Sequence, residues 1–271
     1  MNKTILITGA SSGIGKATAK LFQQKGWNVI ATMRDPAKET ELNKLDNVLV
    51  TSLDVTDAQT IEGAVTAGLK RFGRIDALLN NAGFGAYGPL EATAIDTIKR
   101  QFETNVIGML QTTKAILPHF RSNKAGVIVN ISSVGGKVAF PLGTLYHGTK
   151  FAVEGLSEAL SYELAEIGVK VKIVEPGMIK TDFAGRSFDF SNDESIPEYQ
   201  PIIQKVMAGF GEAQKNVSEA IVVAEAVYQA VTDNADQLRY PVGKDAEQLI
   251  GLRNSKDDDT IKKAIRKQFA L

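Results

Sequence analysis

Tyr146 and Lys150 stand four residues apart in the stretch Leu145-Tyr146-His147-Gly148-Thr149-Lys150. The apolar residues that follow, Val153, Leu156, Leu160 and Leu164, recur at helical spacing. On a helix, positions i and i+4 share a face, so this spacing sets a phenol beside an ammonium. A phenol titrates near pH ~10, and a cation within a few ångströms favours the phenolate and lowers that value. The expectation is a Tyr146 that gives up or takes back a proton near neutral pH. Interconversion of an alcohol and a carbonyl requires such a group. A shift of about three units would correspond to about 4 kcal/mol of preference for the phenolate. On an arbitrary helix the same pair is an ordinary solvated pair, so the reading depends on what else the chain carries.

A second chemical signal lies at the amino end. Residues 3–7 (Lys-Thr-Ile-Leu-Ile) form a short apolar, β-branched run that reads as a buried strand. Thr8-Gly9-Ala10-Ser11-Ser12-Gly13-Ile14-Gly15 follows at once, and Ile14, Thr18, Leu21 and Phe22 then recur at helical spacing. The order strand, glycine-rich turn, helix is that of a phosphate site. Glycines there allow a tight turn, close approach of the backbone to a pyrophosphate and close packing of helix on strand. The amino end of the helix offers free N–H groups and partial positive charge to the phosphates. Gly9, Ser11, Ser12, Gly13, Ile14 and Gly15 are therefore the expected cofactor contacts of this turn.

The spacing Thr-Gly-x-x-x-Gly-x-Gly resembles the short-chain dehydrogenase/reductase family, and further elements in family order extend the likeness over residues 4 to about 182. Asn80-Asn81-Ala82-Gly83 resembles the element after the family's fourth strand. Asn105 stands where the family carries its catalytic Asn, and Ser133 lies thirteen residues before Tyr146, as the family's catalytic Ser does. Tyr146 and Lys150 form its Tyr-x-x-x-Lys, and Pro176-Gly177-Met178-Ile179-Lys180-Thr181 resembles its Pro-Gly-x-x-x-Thr. The resemblance implies a Rossmann-like, doubly wound parallel α/β sheet and a nicotinamide cofactor. It implies Tyr146 as general acid in reduction and base in oxidation, with Lys150 holding the nicotinamide ribose and, together with the oxidised nicotinamide, lowering the Tyr146 pKa. Ser133 would bond the carbonyl oxygen and Asn105 would hold a water linking Lys150 to solvent. Asn81, Ala82, Gly83, Pro176, Gly177, Ile179 and Thr181 would line the cofactor site. Thr181 could instead cap a helix. His147 receives no role, because i and i+1 diverge on a helix.

The choice of cofactor rests on the end of the second strand. NAD sites place Asp or Glu there for the ribose 2′-hydroxyl. Met33 occupies that place, and Arg34 follows. Arginine forms strong bidentate bonds to phosphate, so NADP is expected over NAD. Asp35 complicates this, since it could pair with Arg34 or repel the phosphate. Asp54, followed by Val55, resembles the family residue that meets the adenine amine; it reads equally as a turn or N-cap residue.

Composition narrows the field. Charge balances at 31 basic against 31 acidic residues, which gives no basic field for nucleic acid. There is no cysteine, so disulfides and thiolate metal sites are excluded; with two histidines in all and no ligand spacing, no metal is expected. No apolar run approaches the ~20 residues that span a bilayer. The start runs straight into the first strand, so the expectation is a soluble cytoplasmic protein.

These residues need elements to hold them. Strands are expected at 4–8, 29–33, 48–53, 77–80, 127–131 and 169–175, with a seventh at 238–242. Helices are expected at 13–25, 58–72, 95–117, 146–167 and 218–231. The alternation implies one domain over 1–271 with a parallel sheet wrapped on both faces. Residues 182–214 carry Phe183, Phe188, Phe190, Ile196, Tyr199, Ile202, Met207 and Phe210 among polar residues. They read as a flap over an apolar substrate or as an irregular surface excursion. Residues 256–267 read as a solvated amphipathic tail helix.

The function expected is an NADPH-dependent oxidoreductase interconverting a carbonyl and an alcohol on a small hydrophobic substrate. Met33-Arg34 and the Ser-Val-Gly-Gly turn resemble the hydroxysteroid and retinol dehydrogenase side of the family. The alternative is a nucleotide-binding regulator without turnover, although such regulators lose the Tyr or Lys that this chain keeps. Family members form dimers or tetramers, so a homo-oligomer is expected.

Overall fold

The computed structural model describes residues 2–181, 185, 187–213 and 217–271. All four residues of strand β1 (Thr4–Ile7, Thr-Ile-Leu-Ile) are buried. A strand covered on both faces reads as a continuous apolar run, because each alternate side chain meets a different core. Ile5 and Ile7 join Phe22 and Trp27 on one face, while Leu6 joins Ile61, Ile116 and Phe120 on the other. The neighbours repeat this: Val29 and Ala31 against Ile30, Ala77 and Leu79 against Leu78. Each fully buried Ile or Leu contributes about 1.5–3 kcal/mol. The period of two therefore demands helices on both faces. Helices α1 (Gly13–Gln24) and α7 (Ala220–Thr232) cover the first; α2 (Ala58–Phe72), α4 (Gly108–Asn123) and α5 (Thr144–Ala165) cover the second.

The main sheet adds β2 (Asn28–Met33), β3 (Val48–Ser52), β4 (Ala77–Asn80), β6 (Gly126–Ile131), β7 (Val169–Pro176) and β11 (Arg239–Val242) to β1. Its order is β11-β7-β6-β4-β1-β2-β3 and every pairing is parallel. This is the Rossmann-like, doubly wound arrangement with the seven strands expected. The order in which strands are added reverses between β1 and β4, and the crevice at the carboxyl ends of such a switch point is where nucleotides bind. No described helix is long and apolar enough to cross a membrane.

Four departures from the sequence reading bear on the site. The expected helix 95–117 is interrupted: α3 (Ile95–Phe102) passes through a π turn (Glu103–Ile107) before α4 begins. The described part of 182–214 is not irregular. It holds β9 (Phe188–Phe190), which pairs with β5 (Gly85–Tyr87), and helix α6 (Gln200–Ala213); residues 182–184, 186 and 214 lie outside the described residues. Short strand β8 (Ile179–Lys180) pairs with β10 (Ser218–Glu219), which takes the first two residues of the helix expected at 218–231. Helices α8 (Lys244–Ser255) and α9 (Asp258–Gln268) complete the chain. The tail helix is not solvated all round. Ile261, Ile265 and Phe269 bury against Val206 of α6 and Val138, because its apolar residues fall on one face.

Candidate active site

The glycine turn is stitched to the end of β4. Thr8 Oγ1 accepts hydrogen bonds from Asn81 N and Ala82 N at 2.9 and 3.0 Å, and Asn81 Nδ2 donates to Thr8 O and Gly9 O at 2.9 and 3.0 Å. Asn81 and Ala82 thus hold the turn from behind. Gly9 and Gly13 have φ of +68° and +52°, where a side chain is strained. A Cβ on Gly15 would lie 2.3 Å from Gly9 O, so only glycine lets α1 start this close to β1. Ser12 sits at the N-cap with no side-chain capping bond and Ser11 is exposed. Ile14 packs at the edge of the core. Thr181 reaches the turn from across the crevice: a Cβ on Gly13 would lie 3.3 Å from its side chain. The turn, the amino end of α1 and Thr181 thus lie together at the carboxyl end of β1.

Other expected cofactor residues are placed as follows. Arg34 is exposed at the end of β2, and no ion pair joins it to a described residue. Asp35 pairs instead with Lys38 at 2.9 Å, which lowers its pKa and removes it as a partner of Arg34. Asp54 Oδ1 accepts from Thr56 N and Thr56 Oγ1 at 3.0 and 2.8 Å, as a turn residue does, while Asp57 caps α2. Val55 is buried against Gly108, where a Cβ would come within 2.7 Å of it. Gly83 abuts the Asn105 amide. Pro176 ends β7. Gly177 is required by Asp245, whose carboxylate would lie 2.2 Å from an added Cβ and which accepts from Met178 N at 2.7 Å. Ile179 pairs with Ser218.

Ser133, Tyr146 and Lys150 converge. All three are buried, and the Ser133 hydroxyl hydrogen-bonds the Tyr146 phenol. Ser133 Oγ also accepts from Gly135 N at 3.0 Å. Ser132 faces away, toward Gly136, where an added Cβ would lie 2.6 Å from its oxygen. Lys150 Nζ donates to Ile131 O at 2.8 Å and lies 5.7 Å from the centroid of the Tyr146 ring.

The electrostatics correct one expectation. Burial pushes the Tyr146 phenol up to about 12, with the Ser133 bond acting the other way. Burial also pulls Lys150 down to about 8, partly offset by Glu154. The ammonium does not depress the phenol as the spacing implied. It is engaged with Ile131 O, and desolvation of the phenolate outweighs its attraction. The chain's own groups thus hold the Tyr146 phenol above its ordinary value.

Asn105 sits within the π turn. Its Nδ2 donates to Phe84 O and Thr149 Oγ1 at 2.9 and 3.2 Å, and its Oδ1 accepts from Phe84 N at 3.1 Å. Both amide hydrogens are spent on protein. The side chain anchors the Phe84 loop to α5, and only Oδ1 has a lone pair left for a water.

Several site residues carry no local signal. Tyr87 of β5 stacks on Tyr146 with ring centroids 5.4 Å apart and interplanar angle 29°. It in turn stacks on Phe188 at 5.2 Å and meets Phe210 edge-on at 5.9 Å. An aromatic wall therefore runs from the phenol to β9 and α6. Arg100 of α3 holds the wall's outer strand through an ion pair to Asp189. Nothing in the residues around 87 announces this, since the contacts join segments about 60 and 100 residues apart.

Comparison with known proteins agrees with this geometry. Residues 3–192 match the family model described as short chain dehydrogenase. The chain belongs to the short-chain dehydrogenase family. It is 45% identical over 239 residues to an uncharacterized oxidoreductase of Schizosaccharomyces pombe, covering 88% of this chain and 100% of that one. A short-chain dehydrogenase from Streptomyces avermitilis superposes with a TM-score of 0.85 at 33% identity, covering 98% and 95% of the two chains. ElxO, solved with NADP bound, has a TM-score of 0.73 at 29% identity, covering 94% of this chain and 100% of its own. A 3-ketoacyl-(acyl-carrier-protein) reductase from Brucella melitensis, complexed with NADH, has a TM-score of 0.73 at 27% identity over 88% and 96%. The family member described here is an oxidoreductase whose solved neighbours bind nicotinamide dinucleotides of both kinds.

Proposed function

We propose that the protein is an NADPH-dependent carbonyl reductase of hydrophobic substrates. The single observation that carries this is the hydroxyl of Ser133 bonded to a Tyr146 phenol that the protein keeps protonated, at the foot of an aromatic wall. Ser133 bonds the carbonyl oxygen and steadies the charge that develops on it. Tyr146 donates its proton to that oxygen. Lys150, cationic near neutral pH, lies behind the phenol and would hold the ribose. The nicotinamide, when bound, supplies the hydride that reduces the carbonyl carbon. The glycine turn would hold the pyrophosphate, and Arg34, exposed and without an ion pair among the described residues, would meet a 2′-phosphate.

Residues 182–214 act in this reading as the substrate flap, since Phe188 and Phe210 pack on Tyr87 directly above Tyr146. Exposed Phe102, Ile107 and Phe151, on α3, the π turn and α5, suit a second copy of the chain. Sedimentation of the purified protein as a monomer would refute that assembly.

The deciding experiment follows NADPH and NADH absorbance with a panel of aldehydes, ketones and steroids, beside Tyr146→Phe and Arg34→Ala. Turnover that vanishes in Tyr146→Phe is expected. The Arg34→Ala protein should lose about 10- to 100-fold in NADPH affinity, the worth of a charge-assisted phosphate bond, with NADH little affected. Turnover surviving in Tyr146→Phe, or a wild-type preference for NADH, would overturn the corresponding part.

A further inference from the structure

We propose that His147 is a positioning residue: it ties the loop carrying Ser133 to the helix carrying Tyr146, and so sets the hydroxyl against the phenol. The inference rests on the reductase reading and adds a residue to it.

The loop from Ser133 to Gly143 joins β6 to α5 and is mostly buried, so its backbone groups need partners within the protein. His147 supplies two. Its Nδ1 donates to Gly135 O at 2.9 Å, and its Nε2 accepts from Phe140 N at 3.0 Å. A carbonyl can only accept and an amide N–H can only donate, so the two bonds fix the tautomer: Nδ1 carries the proton and the ring is neutral. The imidazole is 4% exposed, and the loop is built around it. A Cβ on Gly135 would lie 2.7 Å from Nδ1, and one on Gly143 would lie 2.4 Å from Cδ2.

The link to the chemistry runs through Gly135. Its N–H donates to Ser133 Oγ at 3.0 Å, and its carbonyl is the group that His147 holds. The imidazole bond and the hydroxyl bond are thus made by the two backbone groups of one residue. His147 is also the covalent neighbour of Tyr146, so any shift of the loop relative to His147 is a shift of Ser133 relative to the phenol. The same ring meets Phe140 at 5.4 Å and Tyr87 at 6.1 Å, which brings the aromatic wall into register with the pair. A histidine that merely filled space would support the fold without depending on Ser133.

The test uses the full-length protein and its best carbonyl substrate. In His147→Ala, kcat should fall about 10- to 100-fold, the cost of a misplaced reacting group, with cofactor affinity unchanged. His147→Asn keeps a donor near the Nδ1 position and should recover most of the loss; it also serves if the alanine protein folds poorly. Ser133→Ala combined with His147→Ala should be no slower than Ser133→Ala alone, because the histidine acts through the serine. Losses that multiply, or an asparagine variant as slow as the alanine one, would overturn the proposal. Amide exchange gives a readout that needs no turnover. The Gly135 and Phe140 amides should lose protection in His147→Ala, whereas unchanged protection of Gly135 would refute the clamp. A wild-type protein that reduces no carbonyl would instead refute the reductase reading, and exchange would still decide the role of His147.

Discussion

At the scale of single residues, Tyr146 shows how burial and charge compete. Its spacing from Lys150 argued for a depressed phenol; the folded environment raises it to about 12. Ultraviolet difference titration of the wild type against Tyr146→Phe, without cofactor, should therefore show no Tyr146 phenolate below pH ~10, the ordinary tyrosine value. A phenolate near pH 7 would mean that Lys150 dominates after all. His147 titrates in the other direction. Burial pulls it down to about 4, against the Gly135 bond. A lowered histidine pKa means that the unfolded chain binds the proton first. The stability it supports is complete above its ordinary value of 6.5 and is lost as pH falls toward 4. The wild type should lose up to about 3 kcal/mol more than His147→Asn over that window, measured by urea unfolding at each pH. Equal losses would contradict this. The pair Tyr146 and Lys150 was legible from spacing alone. The sign of the phenol's shift was not, because desolvation depends on what covers the ring.

At the scale of elements, the π turn at Glu103–Ile107 is the feature that periodicity missed. One extra residue per turn barely disturbs the pattern of apolar positions, so 95–117 reads as one helix. The insertion re-aims Asn105 so that its amide closes on Phe84 N and Phe84 O. Such turns cluster at functional sites. Asn105→Ala would strand Phe84 N, since Phe84 O keeps its bond from Gln101 Nε2, and should cost about 1–3 kcal/mol, the worth of one unsatisfied group. Chemical denaturation would show it, and a loss below 0.5 kcal/mol, roughly that of a surface change, would mean the loop finds other partners. The glycine turn, by contrast, was fully legible. Gly9, Gly13 and Gly15 sit where a positive φ or a 2.3 Å approach favours glycine, a constraint written within seven residues of sequence.

At the scale of the whole molecule, charges from α5, β7 and β11 meet. Arg239 of β11 pairs with Glu154 and Glu158 of α5 at 2.9 and 2.6 Å and lies 3.8 Å from Glu175 of β7. Glu175 is wholly enclosed, and burial, then the Glu154 carboxylate, pushes it up to about 7. Among the described residues, both its oxygens and Glu154 Oε1 lack donors. A raised carboxyl pKa means that the folded state holds the proton longer. Its stability is complete below about 4.5 and is lost as pH rises through 7. Glu175→Gln keeps a neutral donor there and should exceed the wild type by up to about 3 kcal/mol at pH ~8, with the gap closing toward pH ~5. A gap independent of pH would show that Glu175 does not titrate in this range.

The sequence by itself determined everything carried by short spacing. Alternation across β1 demands two cores, three glycines demand a close helix start, and a four-residue step puts Tyr146 and Lys150 on one face. Ser133 was legible as well, through its resemblance-based distance from Tyr146. Only the tertiary structure decided what spans the chain. Tyr87 meets Phe188, His147 locks Gly135 and Phe140, and Arg239 gathers Glu154, Glu158 and Glu175. The physical reason is range. Backbone geometry couples residues a few positions apart, whereas desolvation, stacking and buried ion pairs act between surfaces that meet only after folding.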